Sequence, residues 1–143
     1  MTYIDKDGNK KRPYIIHRSS IGCYERTLAM LIEKYAGAFP TWLAPTQAIV
    51  LPISDKYNDY AESIVKEFKN AGIRISGDYR AEKIGYKIRE ARLERIPYIL
   101  VVGEKEAESN AVSVRSRKNG DEGAIPVSEL KNRLILEIAN KEN

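Results

Sequence analysis

Along this chain the apolar residues keep two rhythms, one near 3.6 residues and one of two, and the changes between them predict the elements. Tyr3-Ile4 and Pro13-Tyr14-Ile15-Ile16 flank Asp7-Gly8, a strong two-residue turn signal, and predict an opening hairpin. From Gly22 onward, Leu28, Leu31, Ile32 and Tyr35 recur at helical spacing. Gly37 and then Pro40 supply the stop, so a helix of about four turns is expected. Pro40 to Pro45 reads as a connector carrying the only tryptophan, Trp42.

Beyond the connector, short strands alternate with helices. Ala48 to Leu51 suits a buried strand, and Asp55 can cap a helix whose apolar face is Tyr57, Ala61, Ile64, Val65 and Phe68 and which Gly72 ends. Ile73 to Ser76 predicts a second strand and Glu82 to Arg95 a helix with Ile84, Ile88 and Ala91 inward. Tyr98 to Val102 is a continuous apolar strand closed by Gly103. Val112 and Val114 alternate with Ser113 and Arg115, a strand with the arginine outward. Asn119-Gly120 marks a turn, and Val127, Leu130, Leu134 and Ile138 line a final helix. The β-α-β-α-β run implies parallel strands covered by helices, hence an α/β fold with three layers and a mixed, mostly parallel sheet. The change of pattern places a domain boundary between residues 1–45 and 46–143.

Composition narrows the classes. Apolar residues at 43% and charged residues at 31% fit a globular chain. No stretch approaches the roughly 18 apolar residues that a membrane span needs, and the polar start from Met1 to Arg12 is unlike a signal peptide, so a cytoplasmic location without membrane contact is expected. A single cysteine, Cys23, excludes an internal disulfide and a thiolate-rich zinc site. The net charge of +4 is concentrated between Arg74 and Arg95, where Arg80, Lys83, Lys87, Arg89 and Arg92 outnumber the acids Asp78, Glu82, Glu90 and Glu94. No glycine-rich phosphate loop opens any helix.

At His17-Arg18-Ser19-Ser20-Ile21-Gly22-Cys23-Tyr24-Glu25-Arg26 the chain resembles the third signature motif of class II aminoacyl-tRNA synthetases, marked by Gly22 and Glu25-Arg26. Tyr35-Ala36-Gly37-Ala38-Phe39-Pro40 and Trp42-Leu43-Ala44-Pro45 resemble the threonyl branch. Glu82 to Glu90, Pro97-Tyr98, Val102-Gly103, Lys105-Glu106 and Val114-Arg115 are similar to the anticodon-binding domain of that family. The resemblance runs from about Pro13 to the C-terminus. It implies an anticodon-binding domain over 46–143, preceded over 1–45 by a strand-helix remnant of the class II catalytic domain.

The resemblance also implies roles. Arg26 matches an arginine that contacts ATP, which suits a guanidinium that can fork onto phosphate and stack on adenine. His17 matches one ligand of a catalytic zinc; the remaining ligands, a cysteine and a second histidine, have no counterpart upstream of it here. Zinc and ATP-Mg are therefore expected of the full-length enzyme, and none for this fragment, which is expected to be inactive alone. Glu106 and Arg115 match residues that read anticodon bases. An arginine can fork onto guanine O6 and N7, while a carboxylate accepts from N1 and N2 on the Watson-Crick edge. Ala81 stands where the family commonly has asparagine.

Arg80, Lys83, Lys87 and Arg89 are the candidates for tRNA backbone contacts. Tyr79 can stack on a base, whereas Tyr86 is expected in the core. The bland alternative for Arg115 is a surface pair with Glu106 or Asp121. The implied partner is tRNA(Thr), and the full enzyme of the family is a homodimer. A different class of reading is a free-standing docking protein that reuses the fold.

Overall fold

The computed structural model describes residues 1–19 and 21–142. Ser20, inside the motif text, and Asn143, the end of the second expected domain, lie outside the described residues. The chain divides into two compact units, Met1–Leu31 and Ile32–Asn143.

In the first unit, β1 (Tyr3–Ile4) and β2 (Lys10–Lys11) pair antiparallel, with Tyr3 opposite Lys11. The turn is not the expected two-residue Asp-Gly type. Gly8, at φ +79°, is the last residue of a three-residue loop closed by the Asp5 N–H on the Asn9 carbonyl at 2.9 Å. A left-handed residue in that place is what such a loop needs. The Asp5 carboxylate accepts from the N–H groups of Asp7 and Asn9, both at 2.9 Å, and pairs with Lys11 at 2.6 Å. This register uses up the short first strand by Lys11. The return strand therefore falls at Lys10–Lys11 and not at Pro13 to Ile16, where Pro13 has no N–H to give and Tyr14, Ile15 and Ile16 are exposed. Helix α1 (Tyr24–Tyr35) buries none of its residues.

The second unit contains the last turn of α1 and a five-stranded sheet. Its strands are β3 (Ala48–Pro52), β4 (Ile75–Gly77), β5 (Tyr98–Val102), β6 (Ala111–Ser116) and β7 (Gly120–Pro126), in the spatial order β4-β3-β5-β6-β7. The pairs of β3 with β4 and with β5 are parallel; β5 with β6 and β6 with β7 are antiparallel. The sheet is mixed, as expected. Its antiparallel half is larger than the sequence pattern implied because β7 joins as a second antiparallel strand.

Alternation along each strand builds the two cores. One face carries Ala48, Val50, Leu100, Val102, Val112 and Val114 against Ile64 and Phe68 of α2 (Asn58–Asn70) and Leu130 and Leu134 of α5 (Val127–Asn140). The other face carries Leu51, Ile99 and Val101 against Ile84, Ile88 and Ala91 of α3 (Ile84–Leu93). Helices on both faces of the sheet make the three layers. A short helix, α4 (Glu104–Ser109), follows β5. Asp55 lies within a 3-10 turn, Asp55–Tyr57, ahead of α2, and so does not cap the helix as expected. The strand expected at Ile73 to Ser76 pairs over Ile75–Gly77, and the helix expected from Glu82 begins at Ile84.

Gln47, fully buried, pins the amino ends of β3 and β4. Its side-chain oxygen accepts from the Arg74 N–H at 2.8 Å and its amide donates to the Thr41 carbonyl at 2.9 Å. Arg74 returns the tie through its guanidinium to the carbonyls of Ala44 and Trp42, at 2.9 Å and 2.8 Å.

Phe68 is 0% exposed whereas Leu28 of α1 is 56% exposed. Phe68→Ala is expected to cost about 3–5 kcal/mol of stability through lost transfer energy and a cavity. Leu28→Ala is expected to stay within about 0.5 kcal/mol. Urea denaturation of the two variants beside the parent chain checks the difference.

Candidate functional site

The three parallel strands β3, β4 and β5 end on the same edge of the sheet, and α2, α3 and α4 each start beyond it. The carboxyl ends of parallel strands are where open α/β sheets present binding groups, since loops and helix N-termini converge there. Arg80 lies in the loop after β4, Lys83 is the cap residue of α3, and Glu106 is in the first turn of α4 after β5. Topology thus brings Arg80, Lys83 and Glu106 to one rim. Arg89 lies further along α3 and is exposed.

Each rim residue has a defined state. Glu106 is half-buried and one of its oxygens accepts from the Gly103 N–H at 3.0 Å, closing the start of α4. A side chain at position 103 would collide with Ile53 Cδ1 and crowd that carboxylate, so the glycine sets how closely Glu106 folds back. Arg80 is held by two acids: its Nε donates to Asp78 Oδ1 at 2.9 Å, and one terminal nitrogen donates to Asp78 Oδ2 at 2.7 Å and to Glu90. The Arg80 hydrogen bonds hold Asp78 below its ordinary carboxylate value, and Arg80 followed by the Tyr86 hydroxyl does the same for Glu90. Arg80 is raised in turn, first by Asp78 and then by Glu90. The acids Asp78 and Glu90 are neighbours of Arg80 that the sequence pattern did not single out; their signal was only their place in the same charged segment.

Lys87, expected among the backbone-contacting cations, is 3% exposed. Its ammonium donates to the carbonyl of Asp78 at 3.0 Å and of Pro52 at 3.5 Å. It ties the carboxyl ends of β3 and β4 and presents no charge to solvent. Tyr86, expected in the core, is 49% exposed, because it stands two positions from both Ile84 and Ile88, about 200° round a helix whose inward stripe they form. Tyr79 is half-buried, its ring covering Gly77, where an added Cβ would collide with it.

Arg115 is set apart from the rim. Its register partner on β5 is Ile99, so it lies about 10 Å back along the strand from Val102, at roughly 3.3 Å per residue. It shares the α3 side of the sheet with Ile99, on the part of that face formed by β6 and β7. Its guanidinium pairs with Asp121 of β7 at 3.0 Å, one of the two surface partners anticipated, and its Nε is buried without a partner. An exposed pair of this kind contributes about 0–1 kcal/mol, so a ligand can exchange for it. A bulge between Val114 and Arg115 sends the next acid, Glu122, to Arg133 of α5 at 2.5 Å.

In the first unit His17 and Arg26 are both exposed, and the Cys23 thiol donates to Glu25 at 2.9 Å. His17 and Cys23 offer at most two donors, and zinc takes three or four protein ligands. The residues present do not fit that metal. No group of three metal-ligating side chains occurs among the described residues. No helix among them is long and apolar enough to cross a membrane.

Residues 47–137 match the family model described as an anticodon binding domain. Over 143 residues the chain is 76% identical to a threonine–tRNA ligase of Clostridium perfringens (strain 13 / Type A), covering 100% of this chain and 22% of that protein. Over 142 residues it is 79% identical to a threonine–tRNA ligase of Clostridium botulinum (strain Eklund 17B / Type B), covering 99% of this chain and 22% of that protein. Among solved structures it is similar to the RNA binding domain of threonyl-tRNA synthetase from Cryptosporidium parvum Iowa II, with a TM-score of 0.76 and 41% identity over 90% of this chain and 32% of that one. The chain spans less than a quarter of the length of the curated relatives it matches.

The acid network carries a pH prediction. Asp78 and Glu90 sit below their ordinary 3.8 and 4.5 in the folded chain, so the stability they add is present above those values and is lost as pH falls through the folded ones. Arg80→Ala is expected to raise both titration midpoints, read from carboxyl carbon NMR shifts; unmoved midpoints would contradict the network. Separately, Lys87→Met leaves two carbonyls without their donor and is expected to cost about 1–3 kcal/mol in chemical denaturation.

Proposed function

We propose, from the premise that this chain belongs to the anticodon-binding domain family, that it binds the anticodon arm of threonine-accepting tRNA as part of a threonine–tRNA ligase. The observation that carries this is the convergence of Lys83, Arg80 and Glu106 at the carboxyl ends of the parallel strands, with Arg115 on the same side of the sheet as α3. Anticodon bases are splayed from their loop and read on their edges, while cations hold the backbone. A threonine anticodon has guanine in the middle. In the proposed reading, Arg115 leaves Asp121 and forks onto guanine O6 and N7, and Glu106 uses the oxygen turned away from Gly103 to accept from a base donor.

Lys83 and Arg89, both exposed, contact phosphates in this reading. Arg80 contributes a weaker positive contact, since two carboxylates already flank it. Lys87 acts from beneath, by fixing the ends of β3 and β4. With Ala81 in place of asparagine, the third base contact lacks a side-chain donor at that position.

The anticodon module is proposed to run over 46–143, and residues 1–45 to be the end of a class II catalytic domain. In a complete ligase Arg26 would meet ATP and His17 would join zinc ligands supplied by other parts of the enzyme, which acts as a cytoplasmic homodimer. The high identity to two clostridial threonine–tRNA ligases supports the amino-acid assignment. No observation favours the free-standing docking reading.

Arg115→Ala is expected to lower affinity for a threonine anticodon stem-loop by about 1–3 kcal/mol and to narrow the preference for G over A in the middle position. Titrations of both stem-loops against parent and variant measure it. An equal loss for the two stem-loops would leave Arg115 a generic cation and remove the readout role.

A further inference from the structure

A cleft of about 300 Å³ opens between the C-terminal end of α3 and the start of the β6–β7 turn. Four arginines line it, Arg92, Arg95, Arg115 and Arg117, over a floor that includes Ile96 and Ile99. It lies at the opposite end of the sheet from the rim that holds Lys83 and Glu106, because β5 enters here and leaves there. Arg115 is the only residue the cleft shares with the proposed reading site.

The four arginines differ in what already engages them. Arg117 donates to the carbonyls of Arg95 at 2.6 Å and Phe39 at 2.5 Å, so its guanidinium is fixed in place. Burial and then the neighbouring Arg95 charge hold Arg117 below its ordinary value. Arg115 has one pair, to Asp121, and a buried Nε with no partner. Arg92 and Arg95 make no ion pair among the described residues. Arg95 also stands at φ +57°, the left-handed position past a helix end where glycine is favoured, so its side chain is present against a conformational cost. Glu94 lines a neighbouring cleft with Arg95, and Asp121 pairs with Arg115. The cleft is therefore a cationic recess with an apolar floor.

We infer that this cleft holds backbone phosphate of the bound RNA strand next to the base that Arg115 reads, with Arg92 and Arg95 as the contacting cations and Arg117 as a fixed wall. The inference rests on the anticodon-reading proposal. It extends the interface along the sheet, from the rim past Arg115 to the α3 end. A guanidinium suits the task because it stays charged and forks onto phosphate oxygens.

The test uses the full chain with Arg92→Gln/Arg95→Gln, the charge-keeping Arg92→Lys/Arg95→Lys, and Arg115→Ala, each titrated with threonine anticodon stem-loops bearing G or A in the middle at several salt concentrations. Circular dichroism melts show that the variants fold. The glutamine pair is expected to weaken both stem-loops equally, about tenfold near 0.1 M salt, and to lower the salt slope by about 1.4 at roughly 0.7 for each single-strand phosphate contact. The lysine pair is expected to restore the slope. If the glutamine pair binds both stem-loops as the parent does while Arg115→Ala loses G preference, the cleft inference fails and the reading proposal stands. If the parent binds neither stem-loop, both fail. If a poly-glutamate peptide displaces the stem-loop from the parent but not from the glutamine pair, the recess is an acidic-protein site and the inference is overturned.

Discussion

One buried ammonium organises the carboxyl edge of the parallel strands. Lys87 reaches from α3 to the carbonyls of Pro52 and Asp78, where β3 and β4 stop being paired by sheet hydrogen bonds. Parallel strands that end together leave carbonyls with no ladder partner, and a buried carbonyl without a donor is costly. A buried cation is costly too unless it is hydrogen-bonded. Each need satisfies the other. Because the Asp78 carbonyl is fixed this way, the loop that follows it leaves at a set angle, and Arg80 meets both Asp78 and Glu90. The amino ends of the same strands are held differently, by the neutral Gln47 and by Arg74. The sheet is tied at both ends, with the charged tie on the side where loops must keep their shape.

The fold was legible where apolar residues recur. Tyr98 to Val102 reads as a strand and is one, and the stripe Ala61, Ile64, Val65 and Phe68 is the buried face of α2. The elements that escaped notice, α4 and β7, lack that signal. Glu104–Ser109 holds a single apolar residue, Ala107, and its helix is closed by Glu106 folding back on Gly103 rather than by packing. Gly120–Pro126 is a polar edge strand with two glycines and a terminal proline, and it pairs only because β6 offers it a free ladder. Edge strands read poorly since one side faces water and propensity is overridden by context.

The site divides along the same line. Charge and family likeness marked Arg80, Lys83, Lys87, Arg89, Glu106 and Arg115, but residue type does not tell which way a helical side chain points. Lys83 and Lys87 are one turn apart on α3, yet one caps the helix in solvent and the other lies inside. Position 87 falls one residue short of Ile88 and four short of Ala91, near enough to the buried stripe for a long stem to turn inward. The partners Asp78 and Glu90 were invisible for a different reason, and Asp121 could be named only as one of two options for Arg115. Their importance comes from contacts that exist only after β4 meets α3 and β7 meets β6.

The bulge beside Arg115 places a limit on how the chain can vary. One extra residue on β7 lets Asp121 face the open side of the sheet with Arg115 while Glu122 faces α5 and Arg133. Side chains along a strand alternate, so adding or removing one residue between Arg117 and Glu122 would exchange which acid meets which arginine. A surface turn is ordinarily where proteins gain and lose residues freely. Here the number of residues in the turn, more than their identity, decides the charge pattern on both faces of the sheet, and related chains should hold that number constant even as the letters drift.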